Sequence, residues 1–488
     1  MKLYSENEDY KLYQGSMLDM LEVIEPNTID SIITDPPYGL TSITKRFGKE
    51  NSAECQYGKD GSFARLSKGF MGKEWDGSGI EYNIDTWKKC YEVLKPGGYL
   101  LAFGGSRTFH RIACAIEDAG FEIRDTIMWL YGSGFPKSMN IGLALDKKNG
   151  VESIDTGINS PNARPNSDKT NTLYESGTVG KEFTIKKATN EWDGWGTALK
   201  PSFEPIIVAR KPFKGSLVDN VIEYGVGGIN IDECRVEYEK TTNPATNPLY
   251  RQQNADKYKQ VQGGELSNGA VSWTSGKNGV NEGGRFPANT ILTYDETDFD
   301  EVCGGFPNTK NSKRSPKNNK DTVYTNTYTP PKAIYTDNNT YGDSGSASRY
   351  FYTAKASKKD RDEGLDEFEE IDGGSYQFRQ DGSLDGKIPT RKNTHPTVKP
   401  TELMQYLVRL VSPEGATILD PFNGSGSTGK AVMYENKERN KNYKYIGIEL
   451  TEEYLPIAKA RIEYVCNLTE EELKEQQMTI FDYIESKE

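Results

Sequence analysis

Histidine is nearly missing from this chain, with only His110 and His395 among 488 residues. That scarcity excludes a multi-histidine metal centre. The six cysteines (Cys55, Cys90, Cys114, Cys234, Cys303 and Cys466) are scattered and form no CxxC pair. Neither a zinc site nor a disulfide framework follows from such spacing, and reduced thiols are expected. No apolar run approaches the roughly 18 residues of a membrane span. The opening Met1-Lys2-Leu3-Tyr4-Ser5-Glu6 has no apolar signal core. A cytoplasmic protein with no membrane partner is therefore expected. Hydrophobic residues make up only 35% of the chain, which predicts sizeable surface loops.

A net positive charge is missing too. The formal balance is −12, which by itself argues against nucleic acid as a partner. The distribution is uneven, however. Lys310 to Lys320 holds five basic residues and no acid, and Arg349, Lys355, Lys358 and Lys359 follow. The acids gather elsewhere, in Asp360–Glu370 and after Thr469. This basic stretch is either a solvated loop or a local basic face on an acidic protein. If it touches phosphates, affinity for a nucleic acid should fall steeply with salt.

The length allows two or three domains. Thr28 to Thr34 reads as a strand feeding a turn. Gly98 to Phe103 is a second strand, with Ser106 as N-cap of a helix over about 107–119 closed by Gly120. Ile123 to Leu130 is a third strand. Buried strands alternating with helices predict a parallel α/β sheet. Residues 195–208 read as a turn and a strand. Residues 216–390 are polar, rich in Gly, Asn and Tyr, and are expected to form an inserted, loop-rich recognition domain. Sheet-like patterning returns with a helix over Glu402–Val411, a strand over Ala416–Asp420, a helix from Ser427, a strand over Tyr445–Glu449 and a helix over Glu452–Val465.

The run Asp420-Pro421-Phe422-Asn423-Gly424-Ser425-Gly426 joins the strand ending at Asp420 to the helix after it. Strand, glycine turn and helix come in the order of a Rossmann-type cofactor site. Glycines let the backbone approach a ligand closely, and the helix N-terminus offers free N–H groups. Glu449, an acid at the end of the next strand, is placed to accept hydrogen bonds from a ribose diol. The same run mimics a phosphate loop, because Gly424 to Lys430 fits G-x-x-x-x-G-K. Ala431 then stands where Ser or Thr would hold magnesium, and Asp420 would repel phosphates.

The run Asp35-Pro36-Pro37-Tyr38 ends the strand near the other end of the chain. Two prolines fix φ and stop a helix from starting, leaving the Pro36 carbonyl unpaired by local structure. The Asp35 carboxylate and that carbonyl are two acceptors on a stiff backbone, and an exocyclic amino group on a base offers two matching donors. Accepting both protons draws the nitrogen lone pair out of conjugation and toward an electrophilic methyl. Tyr38 offers a ring for stacking, worth about 1–3 kcal/mol per base. The base must leave its helix to arrive there, at a cost of a few kcal/mol.

On these residues the chain resembles the amino-directed DNA methyltransferases that use S-adenosylmethionine to methylate adenine N6 or cytosine N4. Asp35–Tyr38 matches their catalytic motif and Asp420–Gly426 their cofactor motif. His395-Pro396-Thr397-Val398-Lys399-Pro400 is similar to the segment that precedes the latter. Ala102–Gly105 and Leu199–Pro205 also resemble stretches of the family. Catalytic motif, recognition region and cofactor motif come in the order of the permuted β group.

The resemblance implies a Rossmann-like methyltransferase sheet with circularly permuted motif order. Its catalytic domain would be split into residues 1–215 and 391–488 around a target-recognition region at 216–390. It implies that Asp35, Pro36 and Pro37 orient the amino group while Tyr38 stacks on the flipped base. Asp420, Pro421, Phe422, Asn423, Gly424 and Gly426 would shape the S-adenosylmethionine pocket, with Glu449 on the ribose and Thr397 and Lys399 beside the methionine end. His395 would be structural, and Trp75 would line the pocket or pack in the core. One departure is Gly15-Ser16, where many relatives carry an acid after the glycine; Asp19 is the substitute nearby.

The implied partner is double-stranded DNA, with a homodimer and a cognate restriction endonuclease as further partners the family allows. The expected activity is site-specific adenine-N6 methylation, because Asp heads the tetrapeptide where cytosine-N4 enzymes more often carry Ser. Cytosine N4 is the alternative. A phosphate-loop NTPase, a non-catalytic nucleic-acid-binding module and an RNA target are the competing readings.

Overall fold

A computed structural model describes residues 1–38, 79–131, 138–159, 184–236, 284–294, 308–309, 345–346, 351–355, 358–372 and 390–474. Trp75 and Lys310–Lys320 lie outside the described residues, as do the side chains of Arg349, Lys355, Lys358 and Lys359. No described helix is long and apolar enough to cross a membrane.

Ten strands form one sheet: β1 (Lys2–Glu6), β2 (Tyr10–Gln14), β3 (Ile29–Thr34), β4 (Leu94–Phe103), β5 (Glu122–Tyr131), β6 (Phe203–Arg210), β7 (Thr290–Tyr294), β8 (Tyr352–Lys355), β9 (Thr417–Asp420) and β10 (Lys444–Glu449). The helices used below are α1 (Ile84–Val93), α2 (Phe109–Asp118), α3 (Ile141–Asn149), α4 (Leu217–Tyr224), α5 (Lys358–Asp362), α6 (Thr401–Val411), α7 (Ser427–Arg439) and α8 (Leu455–Asn467).

The order across the sheet is β1-β2-β10-β9-β3-β4-β6-β5-β7-β8. Strands from the two ends of the chain meet at its centre, where β9 pairs in parallel with β3 through Ile418↔Ser31 and Leu419↔Ile32. Every residue of β3 is buried. That suits a central parallel strand covered on both faces. On one face Leu403, Leu407, Val432 and Ile462 of α6, α7 and α8 pack against the sheet. On the other face Trp87, Cys90, Ile112 and Ile116 of α1 and α2 do so.

Two details depart from the sequence expectations. The sheet is mixed, not all-parallel, because β6 runs antiparallel to both β4 and β5, and β1 antiparallel to β2. The helix expected from Ser106 is α2, and its N-cap is Thr108. Gly105 carbonyl accepts from the N–H groups of both Thr108 and Phe109, so residues 105–108 close a turn before the helix begins. β7 and β8, drawn from the 216–390 segment, extend the sheet beyond β5.

Chain connections leave β9 and β3 in opposite directions. β9 leads through α7 to β10 on one side, and β3 leads to β4 on the other. A crevice opens at the carboxyl ends of such a pair, where open α/β sheets bind their ligands. Antiparallel β6 places its beginning, not its end, at the same edge.

Candidate active site

A cavity of about 550 Å³ occupies that crevice. The size suits a small-molecule ligand. Asp35, Pro36, Pro37 and Tyr38 line it from the end of β3, and Asp420, Pro421, Phe422, Asn423 and Gly424 line it from the end of β9. Glu449 closes it from β10, and Thr397 and Lys399 from the segment before α6. Gly426 does not line the cavity; it is the N-cap of α7.

The glycine turn is held from within. Asp420 Oδ1 accepts from Thr34 Oγ1 at 2.6 Å and from the Phe422 N–H at 3.1 Å, and Oδ2 accepts from Thr428 Oγ1 at 2.6 Å. The Asp420 carboxylate therefore braces the turn through three donors of its own chain. Burial nevertheless pushes its pKa up to about 6, with Asp35 adding to the rise and the three hydrogen bonds opposing it.

Gly424 adopts φ +51° and Gly426 φ +75°, both left-handed. A Cβ on Gly424 would come within 2.8 Å of His395 Nε2. His395 is buried, with its ring against Tyr454, and it lines the cavity beside the turn. Asn423 fixes the turn from the side, accepting from Tyr445 Oη at 2.7 Å and donating to Gly424 carbonyl at 3.1 Å. The Phe422 ring lies 6.5 Å from that of Trp87.

Glu449 Oε2 accepts from the Gly424 N–H and Oε1 from the Thr451 N–H, each at 2.7 Å. Burial raises its pKa to about 7 against these two bonds. Gly15 donates its N–H to the Glu449 carbonyl, and Gly15, Ser16 and Met17 complete this wall. Asp19, the candidate substitute for the missing acid, is exposed and does not line the cavity.

Lys430 faces away from the cavity. Fully buried, it donates to Asp360 Oδ1 at 2.6 Å and pairs with Glu363 at 2.8 Å. Asp360 lies in α5 and also accepts from the Thr401 N–H at the start of α6. A phosphate loop needs that lysine on the ligand, so the geometry speaks against the nucleotide reading.

The Asp35–Tyr38 end is a charged network. Lys399 Nζ donates to Asp35 Oδ2 and stands 3.7 Å from Glu204 Oε2. Tyr38 Oη donates to Glu204 Oε2 at 2.6 Å, and Tyr131 Oη to Glu204 Oε1 at 3.4 Å. Lys399 Nζ also sits 5.4 Å from the Tyr38 ring centre and 5.1 Å from that of Phe103. Tyr38 carbonyl accepts from Tyr82 Oη and Thr108 Oγ1, which pins the tetrapeptide to the α2 side.

Burial raises the Asp35 carboxyl above the usual range; Lys399 opposes the rise and Glu204 adds to it. Burial pulls the Lys399 ammonium down, but Asp35 and Glu204 outweigh it and leave it raised. Asp35 Oδ1 is buried and has no hydrogen-bond partner among the described residues. Leaving a buried acceptor unpaired costs about 1–3 kcal/mol, and Asp35 is one of the residues that line the cavity.

Glu204 lies in the Leu199–Pro205 stretch, where the sequence alone assigns it no role. Its signal was local: an acid beside Pro205 at the head of a buried strand. The partners that make it important, Tyr38 and Lys399, are distant in sequence.

The residues present fit S-adenosylmethionine. A left-handed glycine turn, the N-terminus of α7 and a buried carboxylate at the end of β10 line the same cavity as Asp35, whose Oδ1 is buried without a hydrogen-bond partner among the described residues.

The DNA methylase family model matches residues 29–460. The type II methyltransferase M.HindIII of Haemophilus influenzae is 24% identical over 238 residues, covering 45% of this chain and 64% of that protein. M2.DpnII of Streptococcus pneumoniae is 39% identical over 82 residues, covering 17% of this chain and 28% of that protein. The alignments thus span less than two thirds of either relative. Among solved structures, the cytosine-N4-specific PvuII DNA methyltransferase superposes with a TM-score of 0.37 at 12% identity, covering 97% of this chain and 93% of that one. The chain belongs to the DNA methylase family, within the β group of amino-directed methyltransferases whose cofactor is S-adenosylmethionine.

Proposed function

We propose that the protein is a site-specific DNA methyltransferase that moves a methyl group from S-adenosylmethionine to the N6 amino group of a flipped adenine in double-stranded DNA. The observation that carries this reading is the buried, unpartnered Asp35 Oδ1 in the same cavity as the Gly424 turn. S-adenosylmethionine, when bound, supplies an electrophilic methyl on a sulfur that departs with the C–S electron pair.

Asp35 Oδ1 and the Pro36 carbonyl accept the two amino protons and aim the nitrogen lone pair at that methyl. The proton lost on transfer leaves through Asp35. Tyr38, with its hydroxyl held by Glu204, offers a ring face to the base. Glu449 and the Gly424 turn hold the adenosine end of the cofactor, and Thr397 lies toward the methionine end. The 216–390 region is the target-recognition region, where base contacts set the site. Adenine is preferred over cytosine because an Asp heads the tetrapeptide.

The test is to incubate the protein with unmethylated genomic DNA and methyl-labelled S-adenosylmethionine, digest to nucleosides, and identify the labelled one. N6-methyladenine is expected. Label at cytosine N4 would overturn the target while keeping the site, and DNA without label would overturn transfer itself.

A further inference from the structure

Lys399 and Glu204 reach Asp35 and Tyr38 from separate parts of the chain. Lys399 arrives on the segment that enters α6. That segment is held by Asp362, which accepts from the Asn393 N–H at 2.9 Å, and by Arg361, which donates to His395 carbonyl at 2.7 Å. Glu204 arrives because β6 is antiparallel and begins at the carboxyl edge of β4 and β5. The Lys399 side chain is 6% exposed and that of Glu204 21%, so both charges act largely out of water.

We infer that Lys399 and Glu204 are opposed positioning residues for the amino-group acceptor. Lys399 occupies Asp35 Oδ2 so that only Oδ1 faces the base, and Glu204 locks the Tyr38 hydroxyl while balancing the lysine charge. This rests on the reading of Asp35 as the acceptor.

The arrangement has a logic. A carboxylate free to rotate would present either oxygen, or share a proton with a neighbour. With Lys399 on one oxygen, protonation of Asp35 is opposed and its other lone pairs keep a fixed direction. Unbalanced, the same lysine would hold those lone pairs too tightly for them to accept from a neutral amine; Glu204 draws part of the ammonium charge away. Tyr38 follows from the same carboxylate, since the hydrogen bond from its hydroxyl to Glu204 fixes where the ring stands. Among the described residues, the charged or titratable groups around Asp35 are Lys399 and Tyr38, Glu204 from β6 with Tyr131 of β5 behind it, and Asp420 at the end of β9.

The two positioning residues should therefore move the ionisation of Asp35 in opposite directions. The experiment is infrared difference titration of the full-length protein, with Asp35→Asn as the subtracted reference to isolate the Asp35 carboxyl band from that of Asp420. The acid limb of methyl transfer to DNA is measured alongside. Lys399→Met should move both midpoints to higher pH by about one to three pH units, the range for losing a close opposite charge. Glu204→Gln, which keeps an acceptor for Tyr38, should move them to lower pH. Lys399→Arg should lie near wild type. If Lys399→Met does not fold, the isosteric Glu204→Gln still decides by the sign of its shift. Unmoved midpoints, or a Glu204→Gln shift to higher pH, would overturn the inference. Opposed band shifts in a protein that labels no DNA would keep it and sink only the methyl-transfer reading.

Discussion

Thr34 Oγ1 donates a 2.6 Å hydrogen bond to Asp420 Oδ1. The two residues end β3 and β9, neighbours in the sheet that come from opposite ends of the chain. This bond couples the tetrapeptide that starts one residue after Thr34 to the glycine turn that starts at Asp420. Thr34→Val keeps the shape and removes the donor. Hydrogen bonds to charged groups contribute about 1.5–3 kcal/mol. The expected result at pH 8 is a loss of stability of that order by urea unfolding, with weaker S-adenosylmethionine binding by calorimetry. Unchanged stability and binding would show that the bond couples nothing.

Gly424→Ala tests the turn itself. Its φ of +51° is costly for any residue with a Cβ, and that Cβ would press on His395 at 2.8 Å. Strain of this kind costs about 1–3 kcal/mol. Cofactor affinity should fall at least tenfold in equilibrium binding, while Gly415→Ala, with open space around its Cβ but the same sign of φ, should leave it unchanged.

The two buried carboxyls beside the glycine turn make stability depend on pH. Asp420 is raised to about 6 and Glu449 to about 7, both chiefly by burial. Unfolded, both titrate near their ordinary values of about 4. Between about pH 4 and pH 7 the folded chain holds protons that the unfolded chain has released. Stability from these groups is therefore fully present below that window and falls as pH rises through it, by about 1.4 kcal/mol for each pH unit separating the two states of one group. Urea unfolding across this range should show Glu449→Gln with a shallower fall than wild type; parallel curves would contradict the assignment.

Lys430→Met distinguishes the buried ion pair from a phosphate loop. Removing one member of a buried pair costs about 3–5 kcal/mol, because Asp360 and Glu363 keep their charges. A marked drop in melting temperature is expected, with no nucleotide hydrolysis in either protein. Hydrolysis by wild type that vanishes in Lys430→Met would restore the phosphate-loop reading.

Much of the sheet's centre was legible because its strands are continuous apolar runs, and Ile29–Thr34 and Thr417–Asp420 lie where those runs end in an acid or just before one. The glycine turn was legible because left-handed φ demands its residue type. The antiparallel course of β6 was not, since burial on both faces gives the same apolar run in either direction. Lys399 on Asp35 was not legible either. Its partner lies at the far end of the chain, and a lysine beside a proline looks the same on a surface as in a buried ion pair. The start of α2 was misplaced because Ser106 has the residue type of an N-cap, whereas the turn closed by Gly105 delays the helix to Thr108.

The central claim is that Asp35 acts on an amino group while the glycine turn holds the methyl donor. A single-turnover experiment tests it directly. Wild type and Asp35→Ala are each loaded with methyl-labelled S-adenosylmethionine, freed of excess, and mixed with unmethylated duplex DNA. Wild type should pass its label to adenine N6, and Asp35→Ala should keep its label bound with transfer slowed by roughly 10²–10³-fold or more. Transfer by Asp35→Ala at the wild-type rate would contradict the account.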